Sequence, residues 1–351
     1  MASSTRKVVR KSAAKKEAVE IPPQRSYVPD KSVGRRYVSR KIHGMKDISL
    51  LDFARANAIN LLLQGDTGAG KTALGQAYAA LKGYNYYALP CDVSIDPSAL
   101  FGKIFPTEDG SFKWIDGPVT ELVRYGGVLN ISEVNFMPPR IAAALYPLLD
   151  SRRQLPLLAN QGEIIRPHQP DCWCDLDEEE CESRWLLIIA DMNPQYRGTM
   201  DLNAAFKNRF PMKINWGYER AVEEKLVNSK TLLDIADKLR AMVGVDLRTP
   251  VATNMLMEFE RMAVGISVDF AVGNFLAAFE TSEQNAVKNV VDLSMSELKR
   301  DISMLLVSSK KKGLVDAVQS AMDEEEEDEI EDIPDDGLEY YEEDDDEEDE
   351  Y

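Results

Sequence analysis

The stretch Gly65-Asp66-Thr67-Gly68-Ala69-Gly70-Lys71-Thr72 places three glycines, a lysine and a hydroxyl in eight consecutive positions. Glycines at these places let the backbone curl so that successive amide groups face an anion. A lysine next to the last glycine reaches β- and γ-phosphate oxygens, and the Thr72 hydroxyl suits a Mg²⁺ ion. The chemistry implied is the binding of ATP with Mg²⁺, and all eight residues are candidate ligands of it.

That chemistry needs a strand running into the loop and a helix leaving it. The apolar run Ile59 to Leu63 and the Ala/Leu-rich stretch after Thr72 supply both. Further strand candidates at 84–90, 127–132, 185–191 and 212–216 alternate with helical stretches. The pattern predicts an α/β domain with a parallel sheet over residues 42–217. In such a sheet the functional loops gather at the carboxyl ends of the strands, which brings the phosphate loop, Glu133 and Asn193 to one edge. After Trp216 the strand pattern stops. Amphipathic stretches at 218–242, 248–263 and 268–280, with a less regular region to 312, predict a small helical domain over 218–312.

The ends read differently. Of 351 residues 44% are hydrophobic, enough for a sizeable core, yet the net charge of −19 is unevenly spread. Residues 1–41 carry twelve Lys/Arg against three acids, and 323–351 carry twenty-one Asp/Glu and no Lys/Arg, which leaves a modest −7 for the middle. Neither end has helical or strand periodicity, so 1–41 is expected as a disordered basic arm and 313–351 as a disordered acidic tail. Both are solubilising ends on the plain reading. On the sharper one, the arm touches nucleic acid and the tail docks on a basic partner. No run approaches the length of a bilayer span and the N-terminus lacks the apolar core of a secretory signal, so a cytoplasmic protein without membrane partners is expected. Four cysteines fit a reducing compartment.

The ordered series GDTGAGKT, "DPSALFGKIFPTEDGSFKWIDGPVTELVRYGGVLNISEVN", "IIADMNP" and "LNAAFKNRF" resembles the MoxR-like and dynein-related branch of the AAA+ ATPases, including the small ATPase subunit of cobaltochelatases. The likeness spans roughly residues 42–260. It implies a phosphate-loop sheet domain followed by a helical lid, with a hairpin at "DGSFKWIDGP". Glu133 is then the residue that polarises the attacking water, Asn193 the sensor 1 group near the γ-phosphate, and Arg209 an arginine finger serving the neighbouring subunit. Arg248, read as opening a lid helix, is the sensor 2 candidate, with Pro250 shifting the local pattern. A ring, a hexamer in this family, is implied. So is a protein client, such as a von Willebrand A domain protein or a chelatase subunit, remodelled at the expense of ATP.

Two features depart from the pattern. Where a paired Asp-Glu is usual, the chain has Ser132-Glu133, and a neutral hydroxyl is a weak substitute for a carboxylate that holds Mg²⁺ water ligands. Asp191 stands where relatives carry a small or hydroxyl residue, so an exchange of the carboxylate between neighbouring strands is expected, with Thr72, Asp191 and, through water, Ser132 serving the metal. A non-hydrolysing nucleotide-gated scaffold and a nucleic-acid-associated motor are the other readings, the first favoured by Ser132 and the second only by the basic arm. The second feature is "RPHQPDCWCDLDEEECES". Its Cys172, Cys174 and Cys181 lie near His168, but the spacing matches no common zinc pattern and four nearby acids weigh against a thiolate site. The resemblance gives His168 a separate explanation, since that family often has a histidine before the sensor 1 strand, and it implies that residues 169–184 are an insertion in a connection and not a cofactor box.

Overall fold

The computed structural model describes residues 27–92, 94–107, 110–170, 172, 174–194 and 204–308, which fall into two compact units divided between Gly217 and Tyr218. The first 26 residues and those from 309 onward lie outside the described residues, and with them the expectations for the acidic tail and most of the basic arm.

In the first unit five strands form one parallel sheet: β1 (Leu61–Gln64), β2 (Tyr86–Pro90), β3 (Gly127–Ser132), β4 (Leu186–Met192) and β5 (Met212–Asn215). Their order is β5-β1-β4-β3-β2. The central strands β1, β4 and β3 are buried almost throughout, as strands covered on both faces by helices must be. The helix Lys71–Lys82 approaches β3 closely, because a Cβ at Gly75 would lie 3.1 Å from Asn130 Oδ1 and 3.3 Å from Ile189 Cδ1. The expected hairpin is present as Gly102–Pro106 paired antiparallel with Phe112–Asp116, set between the helices Pro97–Phe101 and Pro118–Tyr125. A second hairpin, Leu155–Leu157 with Glu163–Ile165, precedes β4.

One boundary moves. Residues 27–41, expected in the disordered arm, are part of the first unit. Asp30 caps the helix Lys31–Arg36 by accepting from the Ser32 amide, Gly34 packs against Leu81, and the Tyr37 hydroxyl donates to Asp47 at 2.6 Å. Two of its basic side chains make structural contacts, Arg36 with Ser32 and Arg40 with Ala69 O and Gly217 O, which a count of charges does not reveal.

The second unit is helical: Arg220–Leu226, Lys230–Met242, Thr253–Gly265, Val268–Ala277 and Gln284–Leu293, with 295–308 also helical. They enclose a core that includes Leu232, Leu239, Leu256, Phe259, Phe275 and Val287. The stretch 218–242, expected as one helix, breaks before Ser229, whose hydroxyl accepts from the Leu232 amide and starts a new helix. The helix expected from 248 begins at Thr253. Pro250 disfavours helical backbone in the residue before it, so Arg248 lies in the approach to the helix and does not open it. No helix among the described residues is long and apolar enough to cross a membrane.

Candidate nucleotide site

The phosphate loop is held at both ends by backbone contacts. The Gly65 amide donates to Met192 O at 3.1 Å, and a Cβ at Gly65 would fall 1.7 Å from Trp216 O, so only glycine fits. Trp216 braces the loop from β5: its amide donates to Gln64 O at 2.6 Å and its indole Nε1 to Ala69 O at 2.9 Å. Arg40 stacks on the Trp216 ring at 4.0 Å and donates to the same Ala69 carbonyl at 3.0 Å. Gly68 and Gly70 take φ of 68° and 87°, left-handed conformations that carry the chain into the helix at Lys71. That helix has no side-chain cap, so its first-turn amides remain available to an anion. Lys71 is 8% exposed and donates to Gly65 O at 2.8 Å and Asp66 O at 2.7 Å. Burial pushes its pKa down, against the opposing pull of Asp191, Asp66 and Glu133.

Beside the loop lies a polar cluster on one face of the sheet. Strands β4 and β3 pair in parallel with Ile189 opposite Asn130 and Ala190 opposite Ile131, and the next residues along are Asp191 and Ser132. Paired residues of parallel strands point to the same face, about 4.8 Å apart. Asp191, 2% exposed, accepts from the Thr72 hydroxyl at 3.2 Å and from Asn130 Nδ2 at 3.1 Å with one oxygen, and from the Glu133 amide at 3.1 Å with the other. Asn130 Nδ2 also donates to Ser132 Oγ at 2.8 Å. Asn130 thus ties Ser132 and Asp191 together, and an Asn inside an apolar strand was the signal in the sequence that could have disclosed this contact.

Glu133 follows β3 in a left-handed conformation, φ 53° and ψ 49°, with an exposed side chain. A non-glycine residue held there is strained and needs a surrounding structure that insists on it; the Asp191 contact to its amide supplies part of that. Asn193 Nδ2 donates to Thr67 Oγ1 at 2.7 Å, which joins the end of β4 to the loop. Gly65 to Thr72, Ser132, Glu133, Asp191 and Asn193 are therefore brought together.

Arg209 is not among them. Its carbonyl accepts from Asn60 Nδ2 at 2.9 Å, and Asn60 precedes β1, whereas the phosphate loop follows it. The four residues of β1 separate these two ends by about 13 Å. The Arg209 guanidinium lies over the Tyr146 ring at 4.1 Å and 3.8 Å from Asp150. Arg248 belongs to the helical unit, where its amide donates to Glu283. Trp216, Arg40 and Asn130 were missed in the sequence. The first two act through the backbone of the loop, and no spacing rule marks them.

The residues present fit MgATP on two observations. The Thr72 hydroxyl and the Asp191 carboxylate are adjacent hard oxygen donors of the kind Mg²⁺ prefers. Two residues beyond Glu133, the buried Asn135 amide has neither its nitrogen nor its oxygen hydrogen-bonded to protein.

Comparison with known proteins agrees. The family described as "AAA domain (dynein-related subfamily)" matches residues 60–210. Protein NorQ of Paracoccus denitrificans is 26% identical over 261 residues, covering 71% of this chain and 90% of its own. Protein CbbQ of Hydrogenophilus thermoluteolus is 28% identical over 222 residues, covering 60% and 76%. An uncharacterized protein of Staphylococcus epidermidis is 33% identical over 254 residues, covering 67% and 90%.

Proposed function

The chain belongs to the dynein-related subfamily of AAA domains, on its MoxR-like branch, and from that premise we propose that it hydrolyses MgATP as a ring of identical subunits and uses the energy to remodel a partner protein. The observation that carries the reading is the Asp191 carboxylate, set against Thr72 and the Glu133 amide. It restores to the site the negative charge that Ser132 removed, which is why hydrolysis is favoured over a passive nucleotide-gated scaffold.

When bound, MgATP supplies the phosphoryl group and a divalent charge that neutralises its oxygens. Toward it, Lys71 and the amides of the loop and helix start offer positive charge and donors. Thr72 and Asp191 would hold the metal. Glu133, exposed and fixed in its unusual backbone conformation, can take up a proton from water, and Asn193, held by Thr67, presents its amide beside that place. These groups are fixed before the reaction, so little reorganisation is needed as charge develops.

Arg209 supports the ring. Its backbone is anchored at the amino end of β1, away from the loop of its own sheet, a placement that suits an arginine finger serving a neighbouring subunit, in a hexamer by the habit of the family. The client is a protein, with a von Willebrand A domain protein or chelatase subunit as the first candidates. The test is affinity capture with the Glu133→Gln variant, which is expected to bind ATP without turnover and retain its client. Recovery of nucleic acid in place of protein, with turnover stimulated by it, would replace this reading with the motor.

A further inference from the structure

The connection from the second hairpin to β4 brings His168, Cys172, Cys174 and Cys181 together, with ligand atoms all within 4.8 Å of one another. Cys172 Sγ lies 3.6 Å from Cys174 Sγ, 3.1 Å from Cys181 Sγ and 3.7 Å from His168 Nδ1, and Cys181 Sγ is 3.8 Å from that nitrogen. From these positions we infer that His168, Cys172, Cys174 and Cys181 form a mononuclear structural zinc site with three thiolate ligands and one imidazole. This reverses the reading of the segment as a mere insertion.

The distances suit one ion. With Zn–S near 2.3 Å and Zn–N near 2.0–2.1 Å, a tetrahedron has edges of about 3.8 Å between sulfurs and about 3.6 Å between sulfur and nitrogen. An iron–sulfur cluster spreads its four protein ligands over more than one iron and could not keep all of them within 4.8 Å of one another. A disulfide would use two of the cysteines and give neither the third nor His168 a reason to converge. Soft sulfur donors with one imidazole and no place for a carboxylate select zinc over Mg²⁺ or Ca²⁺.

A second observation points the same way. None of the described residues from 168 to 185 is buried, and the helix Glu178–Ser183 that carries Cys181 buries nothing. This segment has no apolar core to order it, and a metal supplies folding energy where a core does not. Two of the nearby acids have other partners: Asp177 caps the helix by accepting from the Glu180 amide at 2.8 Å, and Glu180 pairs with Arg184 at 2.5 Å.

The place explains the use. His168 forms a parallel bridge with Trp185, the residue before β4, and Arg55 donates to Glu182 O at 2.6 Å while stacking on Tyr84 at 4.0 Å. The ion would therefore pin both ends of the insertion to the entry of the strand that delivers Asp191 and Asn193.

The test is metal analysis of the full chain isolated under reducing conditions from zinc-containing medium. About one zinc per chain is expected, absent from Cys172→Ser and Cys181→Ser and retained by Cys91→Ser. Should the first two variants fail to fold, the wild-type chain stripped of metal and titrated with Co²⁺ decides. An intense thiolate-to-cobalt charge-transfer band with tetrahedral d–d absorption supports the site, whereas a weak octahedral spectrum or none refutes it. A chain isolated without metal, or one with a Cys172–Cys181 disulfide in its place, also overturns the inference. None of these readouts depends on ATP turnover, so the zinc site stands or falls apart from the proposed activity.

Discussion

Replacing Asp191 by threonine removes the acceptor of three contacts at once: the Thr72 hydroxyl, Asn130 Nδ2 and the Glu133 amide. A hydrogen bond to a charged group is worth about 1.5–3 kcal/mol, so forfeiting one such contact in the transition state lowers turnover roughly 10- to 150-fold. If the carboxylate serves Mg²⁺, the loss should appear as weaker Mg²⁺ dependence as well as slower turnover. Ser132→Asp in the same chain should recover much of it, because the two positions are neighbours on one sheet face and the charge returns about 4.8 Å away. The assay is steady-state ATP turnover as a function of Mg²⁺ for Asp191→Thr, Ser132→Asp and the double variant, read as a double-mutant cycle. Asp191→Asn separates charge from shape, since it keeps an oxygen acceptor for the Glu133 amide but cannot carry the negative charge. Normal turnover by Asp191→Thr, or a double variant no better than the single one, refutes the relocated carboxylate.

Other outcomes follow from the same geometry. Lys71→Ala should lose nucleotide binding or turnover, measured by equilibrium binding of labelled ATP, and full activity in that variant would remove the basis of the assignment. Mixing Arg209→Ala with Glu133→Gln protomers should recover part of the turnover that each lacks alone, since some interfaces then pair an intact Arg209 with an intact Glu133; no recovery in demonstrably mixed rings argues against a shared site. In the helical unit, Glu223 is 2% exposed and accepts from Arg240 at 2.7 and 2.8 Å and from Thr253 at 2.6 Å. Burial raises its pKa but these donors outweigh burial, and the net shift is downward. Its stabilising effect is thus present above the ordinary glutamate range and fades as pH falls through the lower folded value. Glu223→Ala, which removes the two close carboxylate contacts of Arg240 and leaves it Asp237 at 3.7 Å and Val251 O at 2.9 Å, should cost about 1.5–3 kcal/mol in chemical denaturation at neutral pH. An unchanged midpoint would show that the pair contributes nothing net.

The parts of the site that the sequence disclosed are those fixed by local rules. The phosphate loop announces itself because glycine, lysine and hydroxyl positions are set by backbone conformation within eight residues, and the strands because parallel strands buried on both faces read as apolar runs. Boundaries governed by capping were less visible. The break before Ser229 and the start at Thr253 depend on which amides find a partner, and hydrophobic periodicity runs through both. Least visible were contacts made over long separations. Arg40 sits in a stretch whose charges suggest a free arm, yet its guanidinium is held by Trp216 and Ala69.

His168 to Cys181 teaches the same point from the opposite side. Tests of zinc spacing work when ligands come from knuckles or a single helix, where sequence separation fixes geometry. Here one of the proposed ligands, His168, comes from a strand bridge and another, Cys181, from a short helix, and their meeting with Cys172 and Cys174 depends on how the ends of the connection are anchored. Asp191 and Ser132 are a further instance, because their adjacency exists only through the register of β4 on β3. In both places the residue types were informative and the spacing was not. The exchange could be proposed from the sequence because neighbouring strands were assumed there, and giving the anchored ends of the connection the same weight, before applying a motif's spacing, brings His168 and the three cysteines together as well.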